Sequence, residues 1–203
     1  TLTIGNDITL ANKGTITNGG TITNNGKILK IDGSTISGGG TVTGNTAVNG
    51  YEITYNSNYD NGSPDKIVYL ESGATLPTNI FTRSYYNFEG WYKEAESNNK
   101  VEKATESITV YAKWKPNIFT VYAATKQELT YKQQPISYNL SSLLSPDAVK
   151  DCGAMTYEIT SSLPDGLSLD GSIIKGSPNK VNTEEVKVTI TVTAANTSSQ
   201  NID

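Results

Sequence analysis

Asn87–Asn99 reads NFEGWYKEAESNN and Ser107–Trp114 reads SITVYAKW, and these two stretches hold both tryptophans of the 203-residue chain. Whether the indoles form a ligand platform or the core of a small domain decides the fold. In SITVYAKW, Ile108, Val110, Ala112 and Trp114 alternate with Thr109, Tyr111 and Lys113, which is the two-residue period of a half-buried strand. Trp114 is therefore in phase with aliphatic side chains, and core is the expectation. Trp91 is out of phase with Tyr86 and Phe88, but Gly90 stands between them. A glycine bulge there would flip the register and turn Phe88 and Trp91 to the same side.

Working upstream, YEITY places Tyr51, Ile53 and Tyr55 on one face against Glu52 and Thr54, and KIVYL (Lys66–Leu70) reads as a second strand. Turn-rich NYDNGSPD separates them and ESGATLP follows, where Asn, Gly and Pro supply the special backbone angles of turns. The string Y-E-I-T-Y … G-A-T-L-P … R-S-Y-Y-N-F-E-G-W-Y … S-I-T-V-Y-A-K-W resembles the internalin-type B-repeat, also called the Listeria–Bacteroides repeat. It keeps F-x-G-W-Y at Phe88 to Tyr92 and Y-A-K-W at Tyr111 to Trp114. The resemblance implies a small β-grasp-like module of bacterial surface proteins, usually in tandem and usually without catalysis. Tyr85 stands where the family has glycine, and a single Gly62 stands where Gly-Gly is common.

The first 49 residues have a different grammar. GTITNG, GTITNN and GKILKIDG follow one another; Ile16, Ile22 and Ile28 recur every six residues, and Ile36 and Val42 continue the series. Each unit sets one β-branched residue between polar neighbours, then a Gly-rich corner. Two architectures satisfy this: a β-solenoid of short stacked strands, or a meander of small hairpins. The solenoid is preferred, because a three-residue hairpin strand buries too little to hold alone. The runs resemble those in β-helical regions of bacterial surface proteins and adhesins. A solenoid would leave the N-terminal coil as a cut face, with the following domain capping the other end.

Beyond Lys115-Pro116-Asn117 lies a third stretch. VKVTITVTA predicts a strand with Val186, Val188, Ile190, Val192 and Ala194 on one face, and MTYEIT another with Met155, Tyr157 and Ile159. SLPDGLSLDGSIIKGSP (Ser162–Pro178) resembles the L-P-x-G-L-x-L-D … G-x-I-x-G-x-P signature of the Ig-like, cadherin-like domains of bacterial surface proteins. That resemblance implies a β-sandwich of about seven strands, and the calcium-ligand strings of true cadherins are absent. The expectation is thus a mainly β chain of three modules in series. A solenoid segment spans 1–49, a β-grasp-like repeat 51–115 and an Ig-like sandwich 117–203, with Asn49-Gly50 and Lys115-Pro116-Asn117 as linkers.

Composition narrows the chemistry. A net charge of −4 disfavours nucleic acid, whose phosphates require a basic patch, and no apolar run reaches membrane length. Histidine is absent and cysteine occurs once, as Cys152; this removes His-dependent nucleophile systems, the usual zinc sites and any internal disulfide. Asn56–Gly62 is oxygen-rich, but the twelfth position, where a calcium loop carries its bidentate acid, is Ile67. Glu94, Glu96, Glu184 and Glu185 read as solvated charge. Asp7, Lys13, Lys27, Lys30 and Asp32 make a thin set for a polysaccharide-cleaving groove. No catalytic residue, metal ligand or cofactor is expected, and Cys152 reads as a buried, idle thiol.

Two functions follow. The first is a non-catalytic stalk or adhesin-type segment of a bacterial cell-surface protein, giving reach and presentation toward host or matrix glycans or proteins. The chain opens mid-pattern and closes on polar residues, so it reads as excised from a longer protein, with signal and anchor outside it. The alternative is a carbohydrate- or peptide-binding module using exposed aromatics, with Tyr59, Tyr85, Tyr92 and Tyr122 as candidates.

Overall fold

The structure is a computed structural model that describes residues 1–59, 62–78, 80–182 and 184–202. It comprises two compact units: Thr1–Arg83 with Phe88–Trp114, and Ser84–Asn87 with Lys115–Asp203.

The first unit begins with seven short strands: β1 (Leu2–Ile4), β2 (Thr9–Asn12), β3 (Thr15–Thr17), β4 (Thr21–Asn24), β5 (Lys27–Ile31), β6 (Thr35–Ser37) and β7 (Thr41–Gly44). All their pairings are parallel, β1-β4-β7 on one side, β2-β5 on a second and β3-β6 on a third. Leu2 pairs with Ile22, Thr15 with Thr35 and Thr21 with Thr41, each twenty positions apart. The six-residue sequence period is therefore one side of a coil, and three sides and their corners make one turn. Ile4, Ile22 and Ile28 are buried at the centre, with Leu10, Ile16, Ile36 and Ala47 packed against them.

The corners are held by asparagine. Asn12, Asn18 and Asn24 are buried, and each side-chain amide donates to a carbonyl of the next coil: Thr35 at 3.0 Å, Thr41 at 3.1 Å and Asn45 at 2.7 Å. Asn12 and Asn18 also accept from the backbone N–H groups of Gly14 and Gly20. Buried amides with such partners stitch one coil to the next, because leaving them unpaired inside would cost about 1–3 kcal/mol each.

β8 (Val48–Asn56) follows without a break. Leu29, Lys30 and Ile31 of β5 pair in parallel with Val48, Asn49 and Gly50. Farther along, β9 (Lys66–Glu71) pairs antiparallel with residues Gly50–Tyr55, and β11 (Ile108–Pro116) runs parallel beside Ile53–Asn56. β10 (Tyr86–Tyr92) lies next to β11. The order β9-β8-β11-β10, with the first and last strands parallel at the centre, is β-grasp-like. Asn49 and Gly50, expected as a linker, lie inside β8. Gly50 fills the crossing point of β5, β8 and β9: a Cβ there would stand 2.8 Å from the Leu70 carbonyl oxygen and 3.2 Å from the Leu29 Cβ. A side chain fits only if backbone moves.

The grasp core is Ile53, Tyr55, Leu76, Phe81, Trp91, Ala104, Val110 and Ala112, so the alternation read in YEITY and SITVYAKW marks the inward faces. Gly90 takes φ +146°, the register flips, and Trp91 is buried beside Phe88 (centroids 4.9 Å apart) and Tyr55 (4.7 Å). Its Nε1 donates to the Pro77 carbonyl at 2.8 Å. Trp114 is half-buried at the edge of the same cluster, donating to the Ser57 carbonyl at 2.7 Å.

The second unit carries two three-stranded sheets. One is β12 (Ile136–Asn139), β15 (Ile173–Gly176) and β14 (Leu167–Asp170); the other is β13 (Met155–Ile159), β16 (Ile190–Ala194) and β17 (Ser199–Ile202). Every pairing is antiparallel. A short helix α1 (Ala148–Cys152) contributes Ala148 and Cys152 to a core with Phe119, Leu140, Leu144, Ile190, Val192, Ala194 and Ile202. The signature stretch forms the β14–β15 hairpin. There Gly166 and Gly176 pack backbone against backbone, leaving no room for a Cβ at either. Six strands are found among the described residues where about seven were expected. The predicted strand over Val186–Ala194 begins only at Ile190.

Within this unit Asn196 is buried and fully used. Its amide donates to the carbonyls of Asn117 (2.7 Å) and Tyr85 (3.1 Å), and its Oδ1 accepts from the Ser198 N–H and hydroxyl. Tyr85 sits at φ +67°, the left-handed region that glycine enters freely and a side chain does not. Its ring lies over Gly153, where an added Cβ would come within 2.9 Å of it. Both Tyr85→Ala and Tyr85→Gly lose the ring contact, but only alanine keeps the backbone strain. Tyr85→Gly is therefore expected to be the more stable variant, by about 1 kcal/mol, in denaturant titration. Equal or reversed stabilities would show that the φ of Tyr85 costs nothing.

Candidate functional site

Of the four candidate tyrosines, Tyr59 and Tyr92 belong to the first unit and Tyr85 and Tyr122 to the second. Tyr59 is half-buried; its hydroxyl donates to the Thr82 carbonyl at 2.7 Å, its ring meets Trp114 edge-on at 5.9 Å, and the Arg83 guanidinium covers it at 5.1 Å. Tyr92 is half-buried beneath the Lys113 ammonium, 4.8 Å from the ring centroid. Tyr85 is exposed but conformationally committed, as described above. Tyr122 is 52% exposed, with its backbone N–H tied to the Leu143 carbonyl. Among the described residues no ring contact joins Tyr59 to Tyr92, or Tyr85 to Tyr122.

The charged residues weighed for a groove have structural partners instead. Lys13 pairs with Glu52, and each shifts the other: the hydrogen bond raises the lysine and lowers the carboxylate. Lys27 pairs with Glu71 at 3.0 Å, and Asp32 accepts from the Ser107 hydroxyl at 2.6 Å. These contacts tie the coil to the grasp sheet, although solvent screening leaves exposed pairs of this kind with little effect on stability. Asp7 and Lys30 have no such partner among the described residues. Glu94, Glu96, Glu184 and Glu185 are exposed. Asp60 and Asn61, at the centre of the oxygen-rich Asn56–Gly62 loop, lie outside the described residues, and no metal-holding cluster of acidic, Cys or His residues occurs among those described.

Two open concavities, of 260 and 490 Å³, lie on the coil. The larger is lined by Ile36, Val42, Gly44, Asn45 and Ala47 among others, with Lys30 as its only charged residue, and neither contains an aromatic side chain. They offer hydrogen bonds and a little apolar surface, but no stacking face for a sugar ring.

Two ionisable groups are buried among the described residues, and their surroundings make both inert. Cys152 is wholly enclosed, and burial pushes its thiol up, away from the reactive thiolate. Tyr55 is also enclosed; desolvation raises its phenol to about 12, and its hydroxyl has no hydrogen-bond partner among the described residues. The ring was predicted as core from its phase, whereas the orphaned hydroxyl has no signature in sequence.

Fold and side chains define a class: a modular β protein segment whose conspicuous residues support structure. Residues 51–113 match the Listeria-Bacteroides repeat domain, and residues 118–202 match the family described as Putative Ig domain. A comparison with curated proteins finds no match. Both are non-catalytic domain types typical of extracellular or surface proteins, and together they fit a modular segment of a surface protein. Residues 1–50 lie outside both matches. Among the described residues no helix is long and apolar enough to cross a membrane.

Tyr55 gives a direct test of the enclosed core. Removing an unpartnered hydroxyl should leave stability unchanged or raise it by about 1 kcal/mol in Tyr55→Phe. Because the folded phenol titrates above its unfolded value of about 10, its contribution is complete below that pH. It is lost as pH rises through about 12. The wild type should therefore lose stability over that window more steeply than Tyr55→Phe in alkaline denaturant titrations. A clearly destabilised phenylalanine variant, with the same alkaline slope, would mean that the hydroxyl is partnered.

Proposed function

We propose that this chain is a non-catalytic stalk or adhesin-type segment of a bacterial cell-surface protein, placing other parts of that protein within reach of host or matrix glycans or proteins. What carries the reading is the use made of the side chains that could have served chemistry. The indoles close a core, the asparagines join coils, and the lysines and acids of the coil pair with the neighbouring sheet or face solvent. The coil of residues 1–50 is read as a piece of a β-solenoid, a form that lengthens by repetition without needing a new core for each turn. Two surface-protein domain types in succession support the extracellular assignment.

The test is made on intact cells. With an antibody raised against residues 1–203, brief protease treatment of the cell surface should remove the signal while a cytosolic marker persists. A signal that survives until lysis would refute the surface assignment. A glycan array probed with the same chain should stay blank; binding lost on Tyr122→Ala would replace the stalk with the sugar-binding reading.

A further inference from the structure

The two strands through which the chain enters and leaves the grasp sheet are neighbours. β8 receives the chain from the coil, and β11 passes it on to residues 117–203. They run parallel, with Ile53 beside Ile108, Thr54 beside Thr109, Tyr55 beside Val110 and Asn56 beside Tyr111. In a parallel pair the start of one strand and the end of the other lie at opposite ends of the ladder. A pull along the chain therefore draws β8 and β11 past each other lengthwise. The ladder bonds cross between the strands, so such a pull loads them side by side and they must yield together.

Side chains lengthen this ladder at both ends. Before it, the Glu52 N–H donates to the Ser107 hydroxyl at 2.8 Å. Beyond it, the Asn58 amide donates to the Ala112 carbonyl at 2.9 Å, and the Trp114 Nε1 to the Ser57 carbonyl at 2.7 Å. Water is kept away, because Ile53, Tyr55, Val110 and Ala112 are wholly enclosed. A bond broken there leaves a buried polar group without a substitute partner, which is costly. The pairing of β8 with β9 is the opposite case. It is antiparallel, β9 carries no fully buried residue, and Ile67 is 56% exposed. Asn49 and Ser72 stand together at one end of it, where the Ser72 N–H donates to the Asn49 carbonyl at 2.9 Å. Pulling those two apart opens the bonds one after another.

We infer that the β8–β11 ladder, with Ser107, Asn58 and Trp114, is a shear clamp that keeps the grasp sheet folded when tension passes along the chain. The inference rests on the stalk reading, since a stalk carries tension whenever what it presents is held. It gives the Trp114 indole N–H a use beyond core packing: its bond to Ser57 fastens β11 just before the chain leaves at Lys115.

Exposed residues of the full chain, in a Cys152→Ala background, serve as handles for single-molecule stretching. Asn49→Cys with Lys115→Cys loads the clamp lengthwise, and Asn49→Cys with Ser72→Cys opens the β9 edge from its end. At one pulling speed the first pair should rupture at about twice the force of the second or more, because forced unfolding follows the barrier rather than overall stability. Trp114→Phe keeps a ring but removes the bond to Ser57, and should lower the first force by a larger fraction than the second. A smaller ratio between the two pairs would overturn the clamp. So would a Trp114→Phe chain whose first force is unchanged or falls no more than its second. Either failure leaves the surface assignment standing on its own protease test.

Discussion

Strand β8 is the constraint on which the first unit depends. Its first three residues extend the parallel ladder of β5, and Ile53, Thr54 and Tyr55 lie between the two neighbours of the grasp sheet. One backbone segment thus closes a coil and opens a grasp, leaving no free hinge at the change of architecture. The position that makes this possible is Gly50, the last to pair with β5 and the first to pair with β9. The neighbouring chains come too close there for any side chain. A coil of two turns and a four-stranded sheet without a helix are each small. Sharing a strand lets each bury an edge that would otherwise stand in solvent.

In the second unit a single polar side chain has a comparable role. Asn196 gathers the carbonyls of Tyr85 and Asn117 and the Ser198 hydroxyl around a wholly buried amide. Neither Tyr85 nor Asn117 falls within residues 118–202, which match the family. The compact unit is therefore larger than the family module, and its buried polar group is satisfied by chain that a module boundary would cut away. A buried amide so placed is costly to disturb.

What the sequence made legible was periodicity. The six-residue spacing of Ile16, Ile22 and Ile28 marked inward positions, and the alternation in SITVYAKW put Val110 and Ala112 in the core. Gly90 announced the change of phase that buries Trp91. What it concealed were interactions set by distant chain. Asn12, Asn18 and Asn24 look like turn residues, because their carbonyl partners lie about one coil away and sequence carries no mark of stacking. Asn49-Gly50 looks like a linker by composition, since glycine at a close approach and glycine in a loop read alike. The alternation predicted over Val186–Ala194 holds for Val188, Ile190, Val192 and Ala194, whereas Val186 is exposed and the strand begins at Ile190. Among the candidate site residues, exposure could not be read: Tyr59 and Tyr92 are half-buried and covered by Arg83 and Lys113, arrangements that only the folded chain displays.

The central claim is that the coil and the grasp sheet are one cooperative body because they share β8. Native-state hydrogen exchange across a denaturant series tests it most directly. The amides of Ile22 and Ile28 in the coil and of Val110 and Ala112 in the grasp sheet should lose protection together, with the same dependence on denaturant. If the coil amides open at distinctly lower denaturant while those of Val110 and Ala112 remain protected, the shared strand does not unite the two halves and the account fails.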